Sequence, residues 1–140
     1  MKILMAVDGS AHTRRLVDYL IAHPEWAAPT HRYTAVHCVP AVPPGAASML
    51  NSEDLKAYYD EEGEKVFGPI RDLLRQKGWH AEFVTKVGNA GDTIAQMAEK
   101  GGYELVVMGS HGHTALGKLV LGSVATRVMA QCRVPVLLVR

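Results

Sequence analysis

The strongest constraint on this chain is an alternation. Short apolar runs bounded by turn residues take turns with longer stretches in which apolar residues recur at helical spacing. The runs are Lys2 to Val7, Arg32 to Val39, a third near His80 to Lys86, Leu105 to Met108, and Pro135 to Val139. The first is rich in Ile, Leu and Val, which suits a strand buried on both faces. Tyr33, Thr34 and Val36 supply β-favouring side chains to the second. Strands separated by helical crossovers imply a parallel sheet covered on both sides. The expected fold class is therefore α/β: a single domain over residues 1–140, built on an open five-stranded parallel sheet with helices on both faces.

The helical stretches have readable ends. Asp8-Gly9-Ser10 breaks the first strand, Leu16, Val17, Leu20 and Ile21 recur at helical spacing, and Pro24 ends that helix. Pro40 to Ser48, with three prolines and a glycine, reads as a mobile loop. Ser52 is placed to cap a long helix with Glu53 and Asp54 in its first turn. Leu55, Tyr59, Val66, Ile70, Leu73 and Leu74 form its inner stripe as far as Gly78, and Pro69 predicts a kink or a split. A shorter helix from about Ala90 to Lys100 turns Ile94, Met97 and Ala98 inward. Val124, Val128 and Met129 line the last.

Composition excludes several classes. At 140 residues the chain can bury roughly two thirds of its unfolded surface. Fifteen Lys and Arg stand against fourteen Asp and Glu, a formal charge of +1, and no basic run occurs. That balance argues against broad nucleic-acid binding. No apolar stretch reaches the eighteen or so residues that span a bilayer. The N-terminal run stops at Asp8 and reads as a strand, not a signal peptide, so cytoplasmic residence and no membrane role are the expectations. Cys38 and Cys132 lie outside any Cys-x-x-Cys arrangement and read as two buried thiols, with a disulfide or redox pair as the alternative.

Function concentrates where the fourth run ends. Gly109-Ser110-His111-Gly112 is followed nine residues later by Gly122-Ser123, and a helical pattern opens at Ser123-Val124-Ala125-Thr126. Glycines at a strand end let backbone approach a ligand closely. A helix start offers unpaired N–H groups and a positive dipole end to an anion. Together they make a phosphate cradle. Ligands of open parallel sheets sit beyond the strand C-terminal ends, where strand order reverses. Asp8, Cys38 with Val39, and Gly109 meet there if strands one and four are neighbours. An overlapping segment, Gly112 to Leu119, nearly matches P-loop spacing, but Leu119 stands where Ser or Thr would hold magnesium, and the match begins too far beyond the strand.

The pattern Gly-x2-Gly-x9-Gly-Ser joins the opening Ile-Leu-Met-Ala-Val-Asp-Gly-Ser, the His-containing second strand and the closing Pro-Val-Leu-Leu-Val. With these features the chain resembles the ATP-binding branch of the universal stress protein family over essentially its whole length. The resemblance implies a Rossmann-like fold of adenine-nucleotide-binding type. It also implies ATP as ligand, with any Mg2+ held mainly by the phosphates, a homodimer, and a signalling or stress-tolerance role. Carried onto this sequence, the family's phosphate contacts fall on Gly112, Gly122, Ser123 and Val124. Those near the ribose fall on Asp8 and Gly109, and Met108 belongs to the same set. The adenine contact falls on Cys38, where relatives often carry an aliphatic residue; a small cysteine preserves a backbone contact but alters the apolar wall.

Read by their own chemistry, these residues keep alternatives open. Ser123 can cap the last helix or turn its hydroxyl to phosphate. Asp8 can accept from a ribose hydroxyl, hold a phosphate-bound metal, or cap the first helix. His111 and His113 lack a third ligand at the usual spacing, so no metal site is assigned. Lys118 and Arg127 either approach the phosphates or are surface charges, and His37 reads as a packed, hydrogen-bonded histidine. Val134 to Val139, as a sheet edge, would leave backbone groups unpaired beside apolar side chains, which pairing with a second copy would cover. No Ser–His–Asp or paired-acid set can be assembled, so no catalytic residue is assigned. The expectation is an ATP-binding regulatory module with at most slow hydrolysis, acting through the loop from His111 to Leu121 on a partner protein. The alternatives are an adenine-nucleotide-dependent enzyme of nucleotidyl transferase or ATP pyrophosphatase type, and a protein-interaction domain with a vestigial site.

Overall fold

A computed structural model of the chain describes residues 1–112 and 121–140. Strands β1 (Lys2–Ala6), β2 (Arg32–Val39), β3 (Ala81–Val87), β4 (Leu105–Gly109) and β5 (Val136–Val139) form one parallel sheet in the order β3-β2-β1-β4-β5. The helices are α1 (Ala11–Ala22), α2 (Pro44–Ala47), α3 (Ser52–Gln76), α4 (Ala90–Lys100) and α5 (Ser123–Gln131), with a 3-10 turn at Pro24–Ala27. The chain steps from β1 through β2 to β3 in one direction, then crosses back to β4 and β5. Right-handed crossovers therefore place α1 and α3 on one face and α4 and α5 on the other. β1 and β4 are neighbours at the centre, which is the adjacency the proposed site requires.

The core forms because the central strands are apolar on both sides. Ile3, Leu4, Val106 and Val107 are wholly buried. Leu16 and Leu20 of α1, with Phe67, Ile70 and Leu74 of α3, close one face; Ile94 and Ala98 of α4 and Val128 of α5 close the other. Across α4 and α5, Arg127 donates from Nε to Asp92 Oδ1 at 2.7 Å, and Gln131 donates to the same oxygen at 2.7 Å. Hydrogen bonds from Arg127 and Gln131 hold the Asp92 carboxyl below the usual aspartate range.

Several expectations are corrected. Pro40 to Ser48 is not wholly loop: Pro44–Ala47 makes one helical turn, because proline at a helix start has its φ preset and no N–H to lose. Asn51, one residue before Ser52, caps α3 by accepting from the Asp54 N–H at 2.7 Å. α3 is not split at Pro69. The carbonyl of Lys65 gives up its helical donor there, but both residues are exposed, so water can replace it. The inner stripe of α3 includes Gly63 and Phe67, with Leu55 and Tyr59 only half-buried. Met129 is 49% exposed, and Ala125 takes its inward place on α5.

Candidate functional site

A cavity of about 350 Å³ opens beyond the C-terminal ends of β1 and β4, where the strand order reverses. The residues singled out in the sequence come together in its lining: Asp8, Cys38, Met108, Gly109, Gly112, Gly122, Ser123 and Val124. Each lies at or just beyond the end of a strand, or at the start of a helix.

Asp8 follows β1 and shapes the turn into α1. Its N–H donates to Thr13 Oγ1 at 2.9 Å, and its Oδ1 accepts from the Ser10 N–H at 2.9 Å and from Thr13 Oγ1 at 2.8 Å. Ser10, not Asp8, is the N-cap of α1. Gly9, at φ 78°, swings the chain out of the strand direction. The other carboxylate oxygen faces the glycine loop, since a Cβ on Gly112 would lie 2.5 Å from Asp8 Oδ2.

None of the three motif glycines has a positive φ; Gly109 and Gly122 owe their place to close approach, and Gly112 faces the Asp8 carboxylate. A Cβ on Gly109 would lie 2.8 Å from His12 Cβ, and one on Gly122 would lie 3.0 Å from His111 Cα and 3.2 Å from the Ser110 carbonyl. The Gly122 N–H donates to that carbonyl at 2.7 Å, bringing the start of α5 back onto the end of β4. Gly122 is the N-cap of α5, and Ser123 is its first helical residue, which corrects the capping role considered for Ser123. Side chains of Ser10, Asn51 and Asn89 cap α1, α3 and α4, whereas glycine gives α5 no such cap. The first-turn N–H groups of Ser123, Val124 and Ala125 have no carbonyl within the helix to reach. All three residues line the cavity.

At the opposite end, β2 outruns β1. The Arg32 N–H donates to the Met1 carbonyl and the Val36 carbonyl accepts from the Val7 N–H, so even-numbered residues of β2 turn their main-chain groups toward β1. The Gly88 N–H donates to the Val39 carbonyl, so odd-numbered residues face β3. Cys38 is the next even residue after β1 ends, and its N–H and C=O face the space that β1 has left. His37 is half-buried and hydrogen-bonded, as its place in a strand suggested: its Nδ1 lies 2.9 Å from the Val7 carbonyl.

The walls between these two ends are apolar. Val7, Val36, Ile94 and Met108 are all nearly buried yet contribute to the lining. Val36, Ile94 and Thr13 were not among the site residues expected from the sequence; they line the cavity because the strand order brings β2, α4 and α1 to the reversal. Among the described lining residues Asp8 is the one carboxylate, and none is lysine or arginine. Burial pushes the Cys38 thiol up to about 11, opposed by Lys86. Both cysteines are free thiols. Arg127 does not join the cavity, being engaged with Asp92. His113, Lys118 and most of the P-loop-like run to Leu119 lie outside the described residues. Among the described residues no three His, Cys, Asp or Glu side chains gather to hold a metal, and no helix is long and apolar enough to cross a membrane.

This arrangement can be set beside known proteins. A universal stress protein of Thermus aquaticus is 35% identical over 146 residues, covering 99% of this chain and 97% of its own. Universal stress protein Slr1230 of Synechocystis is 27% identical over 140 residues; the match takes in 99% of this chain but 42% of that protein, so the chain spans less than half of its length. The solved structure of MJ0577 from Methanocaldococcus jannaschii superposes with a TM-score of 0.82 at 26% identity, over 99% of this chain and 94% of that one. A universal stress protein from Archaeoglobus fulgidus in complex with dAMP has the same fold, with a TM-score of 0.69, 21% identity, and 100% and 98% of the two chains covered. One from Arabidopsis thaliana with AMP bound shares it too, at a TM-score of 0.69, 15% identity, and 99% and 90% coverage. The family description itself matches residues 1–140. On that full-length match, the chain belongs to the universal stress protein family.

Proposed function

We propose that the cavity binds ATP and that the protein is a nucleotide-dependent regulatory module of the stress response. The observation that carries this reading is the pairing of two open main-chain surfaces in one cavity: the uncapped start of α5 and the free edge of β2 at Cys38. The first suits phosphate, because amide N–H groups and the positive end of a helix bind anions without a cationic side chain. The second suits a purine edge, which carries a hydrogen-bond donor beside an acceptor. Between them, Val36, Ile94 and Met108 offer apolar surface to the base, and Asp8, whose Oδ2 faces the glycine loop, is assigned to accept from a ribose hydroxyl. Asp8 is the one acid among the described lining residues, and its Oδ1 already serves Ser10 and Thr13, so Mg2+ would be carried mainly by the phosphates. The AMP and dAMP held by related folds support an adenine ligand.

Regulation in this reading comes from occupancy. Phosphates on the α5 start bias the loop from His111 to Leu121, and through it a surface read by a partner protein. Calorimetric titration with ATP tests the reading, using the wild type and Ser123→Asp. An acid in the first turn favours the helix but repels phosphate, so the variant should fold normally and lose about tenfold or more in affinity. Wild-type protein that takes up no ATP at millimolar concentration, or a variant that binds it unchanged, would refute the phosphate assignment.

A further inference from the structure

We infer that His37 is a positioning residue for the base: its imidazole occupies the Val7 carbonyl and so keeps the Cys38 N–H open to a ligand. The inference rests on the nucleotide reading of the cavity and concerns how the base end of that site is kept available.

The two strands would otherwise close on themselves. In a parallel ladder the residue of β1 whose N–H meets Val36 offers its carbonyl to the N–H of residue 38. Val7 makes the first of these bonds at 3.0 Å, so the second, from the Cys38 N–H, is next in register. It is not made. The Val7 carbonyl instead meets His37 Nδ1 at 2.9 Å. A carbonyl only accepts, so Nδ1 carries the proton and donates. Val7 is 4% exposed, and a buried carbonyl at a strand end requires a donor. The imidazole supplies it from the side and removes the reason for Cys38 to do so. Phe67 packs against the ring edge to face, with centroids 6.3 Å apart and planes at 88°.

The Cys38 carbonyl is kept open by a different device. Its ladder partner would be the N–H of Gly9, but Gly9 has turned out of the strand at φ 78°. One residue thus presents a donor and an acceptor side by side, facing the cavity, for reasons that lie wholly in its neighbours.

The test compares wild type, His37→Leu and His37→Asn. The asparagine amide nitrogen stands where Nδ1 stands and can still donate to Val7; leucine cannot. In nucleotide-free protein the Cys38 amide should exchange rapidly with solvent in wild type and His37→Asn, and at least about tenfold more slowly in His37→Leu, where it closes onto Val7. ATP affinity should fall about tenfold in His37→Leu and return to within about threefold of wild type in His37→Asn. Affinity for inorganic triphosphate, which has no base, should be the same in all three. A Cys38 amide already protected in wild type overturns the inference without any variant. So does His37→Leu binding ATP as wild type does, or losing triphosphate and ATP together. Failure of wild type to bind ATP would instead remove the nucleotide reading, and the exchange comparison would still decide whether His37 holds the amide open.

Discussion

At the scale of the residue, the two polar ends of the site are main chain, and the side chains around them matter for what they leave unobstructed. Cys38 shows this. Its thiol, pushed up by burial from an ordinary 9.0 to about 11, should carry on the order of a hundredfold less thiolate at pH 8 than an ordinary cysteine. Iodoacetamide at pH 8 should therefore label Cys38 on the order of a hundredfold more slowly than a cysteine peptide, and labelling should keep accelerating as pH approaches 11. Labelling at the peptide's rate would contradict the burial argument. The sign for stability follows: the folded state favours the protonated thiol, so this contribution is full below the unfolded thiol's range and declines as pH rises from there through about 11. The motif glycines were legible in the sequence because their spacing is local. The Val7–His37 bond was not, because it depends on the register between two strands about thirty residues apart, and no local pattern encodes that.

At the scale of the element, helix and strand ends decide the site. Boundaries came through where chain chemistry is unambiguous: β2 and α4 begin and end at the residues their patterns indicate. They slipped where two residues compete for one role, as Asn51 and Ser52 do for the α3 cap and Gly122 and Ser123 do for that of α5. Met129 was misplaced because one helical turn offers two apolar candidates, and only the packing of α5 on the sheet selects Ala125 and Val128. The joint between α4 and α5 should depend on pH. Asp92 is held below its ordinary value of 3.8 by Arg127 and Gln131, so its contribution is present above that value and lost as pH falls through the lower folded one. Thermal melts across acid pH should show Asp92→Asn less stable than wild type near neutrality, with the difference vanishing at the acid end. A constant difference at every pH would mean the joint is held by something other than the carboxylate charge.

At the scale of the whole molecule, the topology sets both the cavity and its opposite risk, a bare edge. The order β3-β2-β1-β4-β5 puts β5 at a margin with only β4 beside it. The Val106 N–H donates to the Pro135 carbonyl and the Ser110 N–H to that of Val139, so Val136 and Leu138 point their main-chain groups outward. We expect this edge, within Val134 to Val139, to pair with a second copy across a two-fold axis. Leu138→Pro removes an outward N–H and none facing β4. Sedimentation equilibrium should then find a dimer for wild type and a folded monomer for the variant; an unchanged association state would reject the edge as the interface. Strand number, parallel direction and both-face burial were all legible from alternation alone. The meeting of β1 with β4 was an inference from topology, and the cavity exists because that inference holds.

The most direct measurement of the central claim is a residue-by-residue one: backbone amide shifts recorded while ATP is titrated into the protein. The account predicts saturable shifts at both open surfaces, at Cys38 on one side and at Gly109, Gly112, Gly122, Ser123 and Val124 on the other, together with Asp8 and the loop from His111 to Leu121 between them. Shifts at the α5 start with none at Cys38 would show an anion site without base recognition, and shifts elsewhere, or none at millimolar ATP, would contradict the nucleotide site altogether.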